Sequence, residues 1–521
     1  MALTAVAFIL RYFSPILPDL YAHPSDHFDL SNCVVNTPVD VTGTKGTLCG
    51  LAYPFQRGYR SAPNSALSPP EGEIFDEIYF AVFAHDDLKG IAYFDPEPPL
   101  AKLIIGAGEW SYGWWRHNID GVPGDPADLG FNPFGWRIMS CIFGTLVVPL
   151  IYLFALRLWR NRLFAIAAAV LACFDGMFFI QSRIGMIDIF AVFFILLAYY
   201  LFHVHLDSRG PRDSIVTLLL TGVTIGLAVS AKWIALAAVS VMLFVLLIRV
   251  VRRLVTVRIR TGGSSTWVWG KEEAAGPALP GGAWWPAYLV GFVLAFAVIP
   301  LSIYIASWTP FFTRGQFHGL ADLWKYQVDS YSYHAHLTAT HPYGSPWYSW
   351  PFLYRPVAYY FENAGLGVDA STGQPLVAGM VDLGNPWIWW TSIPCVLLMP
   401  FFALKHRNYA AAVIAMGFVT QYLPWSLISR VIFLYHMFAG LPFMILALAF
   451  CLAKLAQAVA DVEIGSYRIP GLSGAAFLYL HLAVAVLFFI FFYPVWTGLP
   501  IGADQYLGGF GHGRMWFMKW I

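Results

Sequence analysis

The sequence predicts an all-α polytopic membrane protein with about eleven transmembrane helices. Three observations carry this. The 521-residue chain is 58% hydrophobic. Only 12% of its residues are charged, about half the usual globular share. Apolar runs of roughly 17–25 residues, long enough to cross a bilayer, recur along it. These features exclude a disordered chain, a coiled coil and an ordinary cytosolic enzyme. A net charge of +1 leaves no basic footprint for nucleic acid.

The apolar runs fall at 135–156, 163–181, 188–206, 214–230, 233–251, 284–306, 386–404, 408–424, 431–453 and 474–495, and a shorter first span is read at 1–18. The runs 214–230 and 233–251 form one stretch, divided at Ser230-Ala231-Lys232 because the whole is too long for one span. The loops 157–162, 207–213, 249–271, 405–407 and 454–468 alternate to one side and hold roughly half of the 31 Lys and Arg residues. The positive-inside rule makes that side cytoplasmic. Residues 135–306 then carry spans two to seven and 385–495 carry spans eight to eleven. Segments 19–134 and 307–384 form two outer loops, with 496–521 as an outer tail. The stretch 261–283 reads as a Gly-rich cytoplasmic linker.

Cys141, Cys173, Cys395 and Cys451 fall in spans as ordinary buried thiols. Cys33 and Cys49 share the first outer loop, where an oxidising compartment permits a disulfide. In that loop, Phe75, Tyr79, Val82 and Phe83 have helical spacing. Asp76 and Glu77 open the helix, and acids there are favoured by the dipole without any further role. Pro98 and Pro99 lead into a second apolar helix, Leu100 to Trp110. Lys102, one turn in, reads as a snorkelling lysine or a site residue. Asp95 and Glu97 form a D-x-E pair, a weak signal for a divalent cation.

FDEIYF at 75–80 followed by YFDPEPPLAK at 93–102 resembles the first outer loop of the dolichyl-phosphate-mannose protein O-mannosyltransferases, multispanning glycosyltransferases of the GT-C class. Matching stretches follow in family order: FGWRIMSCIFGTLVVPLIY around Arg137, QSRIGMIDIF at 181–190, GLAVSAKWIAL at 226–236, SPWYSWP at 345–351, LGNPWIWW at 383–390 and LPWSLISRVIFLYHMFAGLPF at 423–443. Three departures stand out. Glu97 replaces the histidine usual before the double proline. The second outer loop is too short for the β-trefoil insert of eukaryotic members, so the chain looks like the prokaryotic type. Residues 19–72 match nothing in the family.

The resemblance implies transfer of mannose from a polyprenyl-phosphate carrier to Ser or Thr hydroxyls of exported proteins, with inversion. It implies no essential cofactor, and leaves a divalent cation open. It also implies a multi-pass protein, in the plasma membrane if prokaryotic, with an outer-face site. A hydroxyl nucleophile needs a carboxylate base in reach. The match assigns that role to Asp76, with Glu77 orienting or binding the acceptor. The phosphate leaving group needs cations. Arg137, Lys232, Arg183 and Arg430 lie at span ends where topology gives them no task, and are the candidates. Each also reads as a snorkelling or ion-paired side chain, and Arg183 with Asp188 reads equally as a structural pair. Glu97, Lys102, Asp188, Asn385, Tyr435, His436 and Trp347 are candidate donor or acceptor contacts. Asn385 alternatively caps its helix. His341, Tyr343, Ser345, Trp347 and Trp350 read as interfacial aromatics and neighbours, or as a sugar or peptide platform. The rival functions are a glycolipid or cell-wall acceptor, another sugar, or a lipid or sugar transporter. Transporters place their charges at the midplane of repeated halves, and this chain does neither.

Overall fold

The computed structural model describes residues 1–12, 75–254, 257–261, 264–269, 285–363, 366–464 and 467–520. The insert 19–72 with Cys33 and Cys49, residues 13–18 of the first candidate span and residues 270–283 of the linker lie outside the described residues.

Seven helices are long and apolar enough to cross a membrane: Pro133–Leu158, Asp188–Leu206, Pro211–Ala231, Pro286–Ser307, Pro386–Lys405, Tyr409–Leu427 and Gly474–Thr497. Shorter apolar helices, Ala2–Tyr12, Arg162–Cys173, Trp233–Arg249 and Leu441–Leu455, lie at the remaining expected spans. By length the structure supports seven spans, short of the eleven expected.

Local chemistry sets the helix starts. Asn132 accepts from the N–H groups of Phe134 and Gly135, and Pro133 follows at the first helical position. Asn385 and Pro386 repeat the arrangement. The expected span 163–181 is interrupted, because Asp175 caps a new helix, Gly176–Gln181, by accepting from Phe178 N–H. The expected span 431–453 starts late. Residues 428–433 are not helical and Leu434–Ala439 is a 3-10 turn ahead of Leu441–Leu455. At Lys232 the backbone is extended, which ends Pro211–Ala231.

Burial divides the helices. Leu441–Leu455 and Asp188–Leu206 are enclosed almost throughout. Pro286–Ser307 exposes Val290 and Leu301, Pro386–Lys405 exposes Leu397 and Leu404, and Gly474–Thr497 exposes Leu487 and Ile490. A contiguous apolar surface of this kind is stable against lipid, not water.

Short strands qualify the all-α expectation. Val257–Thr261 pairs antiparallel with Ser264–Trp269, placing a hairpin where the linker was expected to begin. Val459–Ile464 and Tyr467–Ser473 form another. Val357–Glu362 pairs with Leu376–Asp382, which also takes Ile501–Gly502 and so ties the C-terminal segment to the 309–383 region.

The helices near the site pack through glycine. Leu100–Asn118 lies against Pro126–Gly130, and a Cβ at Gly130 would overlap the Glu109 carbonyl oxygen while one at Gly113 would overlap that of Pro126. Gly130→Ala is expected to push these helices apart and cost about 1–3 kcal/mol, as overpacking does. A lowered thermal midpoint in detergent checks this, and an unchanged midpoint would refute it.

Candidate active site

The chain enters the site at Phe75, whose φ of 54° is in the left-handed region that bulky residues rarely adopt. Its ring is held 4.6 Å from Tyr359 and 6.2 Å from Tyr435. This turn starts the helix Glu77–Lys89. Asp76 occupies the cap position, but its side chain makes no capping bond. Its carboxylate is uncommitted among the described residues. Burial, followed by the negative charges of Asp188 and Asp95, pushes its pKa up to about 7, against the opposing pull of Lys232.

Glu77, one residue on, faces the other way and is fully buried. Arg137 grips it bidentately, Nε donating to Oε1 at 2.6 Å and Nη2 to Oε2. Gly185 N–H donates to the same Oε1 at 2.5 Å. Glu77 is thereby committed to the fold and does not face an acceptor. Arg137, expected at the donor phosphate, is equally enclosed. The bond joins the first-loop helix, the start of Pro133–Leu158 and the loop before Asp188.

The other expected cations divide. Lys232 Nζ donates to Asp188 Oδ1 at 2.7 Å, and both side chains are nearly buried. Arg183 does not pair with Asp188. Its Nη1 donates to the Trp496 carbonyl at 3.3 Å and its guanidinium lies 4.8 Å from the Phe179 ring, fully buried. Arg430 differs from all of these. It is half-buried on the non-helical stretch 428–433 and bonds only the Val431 carbonyl, at 3.4 Å. Among the described residues it has no carboxylate partner, yet its charge acts on Lys232, His334, Tyr435 and His436.

Tyr435 stacks on Phe433 and His436, and its edge meets Phe75 beside Asp76. His436 Nδ1 is engaged with the Phe433 backbone at 3.1 Å, and its ring lies between Trp350 and Trp425. Three further candidates are engaged within the fold. Asn385 is consumed by its cap and by carbonyls of Phe174 and Ala485. Lys102 donates to the Asp95 carboxylate and to the Glu97 and Pro98 carbonyls, bracing the PEPP turn. Trp347 packs on Tyr422 and takes that hydroxyl on its carbonyl. Because Asp95 is committed to Lys102, the D-x-E pair does not present two open carboxylates. The Glu97 carboxylate is half-buried and, among the described residues, makes no side-chain hydrogen bond.

Two groups near the site carry no motif. His334, on Leu320–His336, faces Glu97 at 4.0 Å. Asp382 lies under the Phe75 platform, accepting from Tyr359 Oη at 2.9 Å and Gln181 Nε2 at 3.3 Å. Burial pushes its pKa up to about 8. An open groove of about 660 Å³ runs alongside, lined by Phe94, Asp329, Ser332, Tyr333 and His336.

Comparison with known families decides the kinship. The family model described as dolichyl-phosphate-mannose-protein mannosyltransferase matches residues 65–314, and that for the C-terminal four-transmembrane region of protein-O-mannosyltransferase matches 319–520. The chain belongs to the protein O-mannosyltransferase family. A Mycolicibacterium smegmatis polyprenol-phosphate-mannose–protein mannosyltransferase is 26% identical over 88% of this chain and 89% of its own length. The Corynebacterium glutamicum protein of that name is 28% identical over 81% of each. The Saccharomyces cerevisiae protein O-mannosyltransferase Pmt1-Pmt2 complex bound to the sugar donor aligns over 90% of this chain and 92% of its own with a TM-score of 0.63 and 15% identity, a likeness of fold. The fold is accordingly GT-C. In this protein O-mannosyltransferase the adjacent acids have opposite fates, Glu77 bound into the frame and Asp76 open.

Removing one member of a buried ion pair strands the other charge at a cost of about 3–5 kcal/mol, whereas removing both is far less costly. Glu77→Leu and Arg137→Met are each expected to lower the thermal midpoint sharply, and the double variant to recover much of it. Additive losses in this double-mutant cycle would show that the pair is not coupled.

Proposed function

We propose that Asp76 is the base of an inverting transfer of mannose from a polyprenyl-phosphate carrier to a Ser or Thr hydroxyl of a protein. The carrying observation is an uncommitted, half-buried carboxylate with its pKa pushed up to about 7, placed beside a carboxylate–lysine pair in a protein O-mannosyltransferase. A base of that pKa is about half unprotonated at neutral pH and strong enough to take a hydroxyl proton as the bond forms. The acceptor oxygen attacks the anomeric carbon, its proton passes to Asp76, and the bond to phosphate breaks with its electron pair leaving on the phosphate oxygen. Arg430, the half-buried one of the four candidate cations and without a carboxylate partner among the described residues, stabilises that charge. Lys232, already opposed by Asp188, contributes less.

The chain is a multi-pass integral membrane protein. We assign the site to the outer face of the plasma membrane, opposite the basic loops. Asp188 begins one apolar helix and Lys232 follows the end of the next, which suits a surface-level reaction centre better than a midplane transport site.

The test is mannosyl transfer from polyprenyl-phosphate-mannose to a Ser/Thr-rich peptide, with and without chelator. Asp76→Asn is expected to abolish transfer while leaving the protein folded, and retained transfer would overturn the base assignment. Because the base must be unprotonated, kcat/KM should rise with pH through about 7 and level off above it. A profile flat across that window would contradict the assignment. Arg430→Ala is expected to lower kcat at least tenfold, about 1.4 kcal/mol of transition-state stabilisation. An unchanged kcat would remove Arg430 from the phosphate.

A further inference from the structure

Two half-buried groups beside the proposed centre face each other without a hydrogen bond. Glu97 Oε1 lies 4.0 Å from His334 Nε2. The Glu97 backbone is pinned, its N–H donating to Asp95 Oδ1 at 3.2 Å and its carbonyl accepting from Lys102 Nζ at 2.8 Å. The His334 ring is held in the last turn of its helix, with Trp233 at 6.3 Å and Tyr333 at 5.7 Å. Its Nδ1 is buried and has no hydrogen-bond partner among the described residues. Glu97 and Asp95 reach the ring from the PEPP loop, Lys232 from the helix break, and Arg430 from the unwound stretch, with His436 behind it. Burial and the two cations hold the imidazole below its ordinary pKa, against the pull of the carboxylates.

The reaction changes the charge at this place. The sugar-bearing carrier is a phosphodiester with one negative charge. The released carrier is a monoester, whose second ionisation near pH 6 adds up to one more. The Glu97 carboxylate lies beside the cations meant to receive it, and an unprotonated His334 does nothing to offset its charge.

We infer that His334 is a positioning residue for the carrier phosphate, taking up a proton as the monoester forms or binds, cancelling the charge of Glu97 and offering an Nδ1–H donor. The proton comes from water and returns to it on release, and no bond to carbon changes. This rests on the donor class proposed above.

The test is binding of polyprenyl phosphate, without sugar, to the solubilised full chain from about pH 6.5, above the second ionisation of the monoester, to about pH 8. All variants are built on Asp76→Asn, so that this carboxyl does not titrate in the same window. The parent is expected to lose affinity as pH rises, by up to about tenfold per unit for one linked proton. His334→Gln should bind more weakly at the acidic end and lose most of that slope. Glu97→Gln should bind more tightly at the alkaline end. A His334→Gln variant with the parent's affinity and slope overturns the inference, and so does a Glu97→Gln variant with unchanged alkaline affinity, which tests it without touching the imidazole. A parent chain that binds no polyprenyl phosphate at any pH overturns the donor reading instead.

Discussion

The site depends on one buried interaction, the grip of Arg137 on Glu77. Neither side chain has access to solvent, and the guanidinium and Gly185 N–H together bond both carboxylate oxygens. Such a pair contributes little net stability, because desolvation offsets the attraction. Its effect is geometric. The helix Glu77–Lys89 can dock in only one rotation, since any other would bury a bare charge. Consecutive helical residues do not share a face. Fixing Glu77 inward therefore turns Asp76 away from the frame, and the left-handed turn at Phe75 completes the entry.

The same logic extends across the site. Lys102 braces the turn carrying Glu97, and Lys232 with Asp188 closes the opposite side. The Glu77–Arg137 and Lys232–Asp188 pairs join segments far apart in the chain, so these ionic contacts align helices that apolar packing alone would leave free to slide, while Lys102 acts locally on its own loop. In a chain with so few charges, most of those near the centre hold the frame, and a few are left for chemistry.

The sequence showed the frame more clearly than its pairings. Apolar runs located the long helices, and Asn385 marked its cap because a cap needs only a local signal. Helix unwinding at 428–439 was hidden because hydropathy does not register backbone shape, and the hairpins because they are short. The span-end position of a cation told which end of the bundle it occupied, but not its partner. Arg183 lies five residues from Asp188 in sequence, yet Asp188 is bound by Lys232 and Arg137 by Glu77, partners visible only in three dimensions. His334 and Asp382 lie in no motif, since their importance comes only from what faces them. Glu97 did stand out, as a departure from the family's histidine, and an imidazole does face it, contributed by another helix.

The contrast between Arg430 and the three other arginine and lysine candidates follows from solvation. A cation buried in the helix wall must be satisfied before any substrate arrives, because leaving it bare in low dielectric is too costly. Arg137 and Lys232 meet that demand with carboxylates, and so have little charge left to offer a phosphate, whereas the buried Arg183 meets it only in part, through the Trp496 carbonyl and the Phe179 ring. A cation that waits for its anion has to be kept by water in the interval. That requires a half-open position and a backbone that is not sealed into a helix among helices. The unwound stretch 428–433 supplies both, and Arg430 is the cation on it. In the proposed mechanism the break in the last third of the chain is therefore part of the chemistry: it lets the charge of Arg430 remain unpaired without being stranded, until the leaving phosphate takes the place of water.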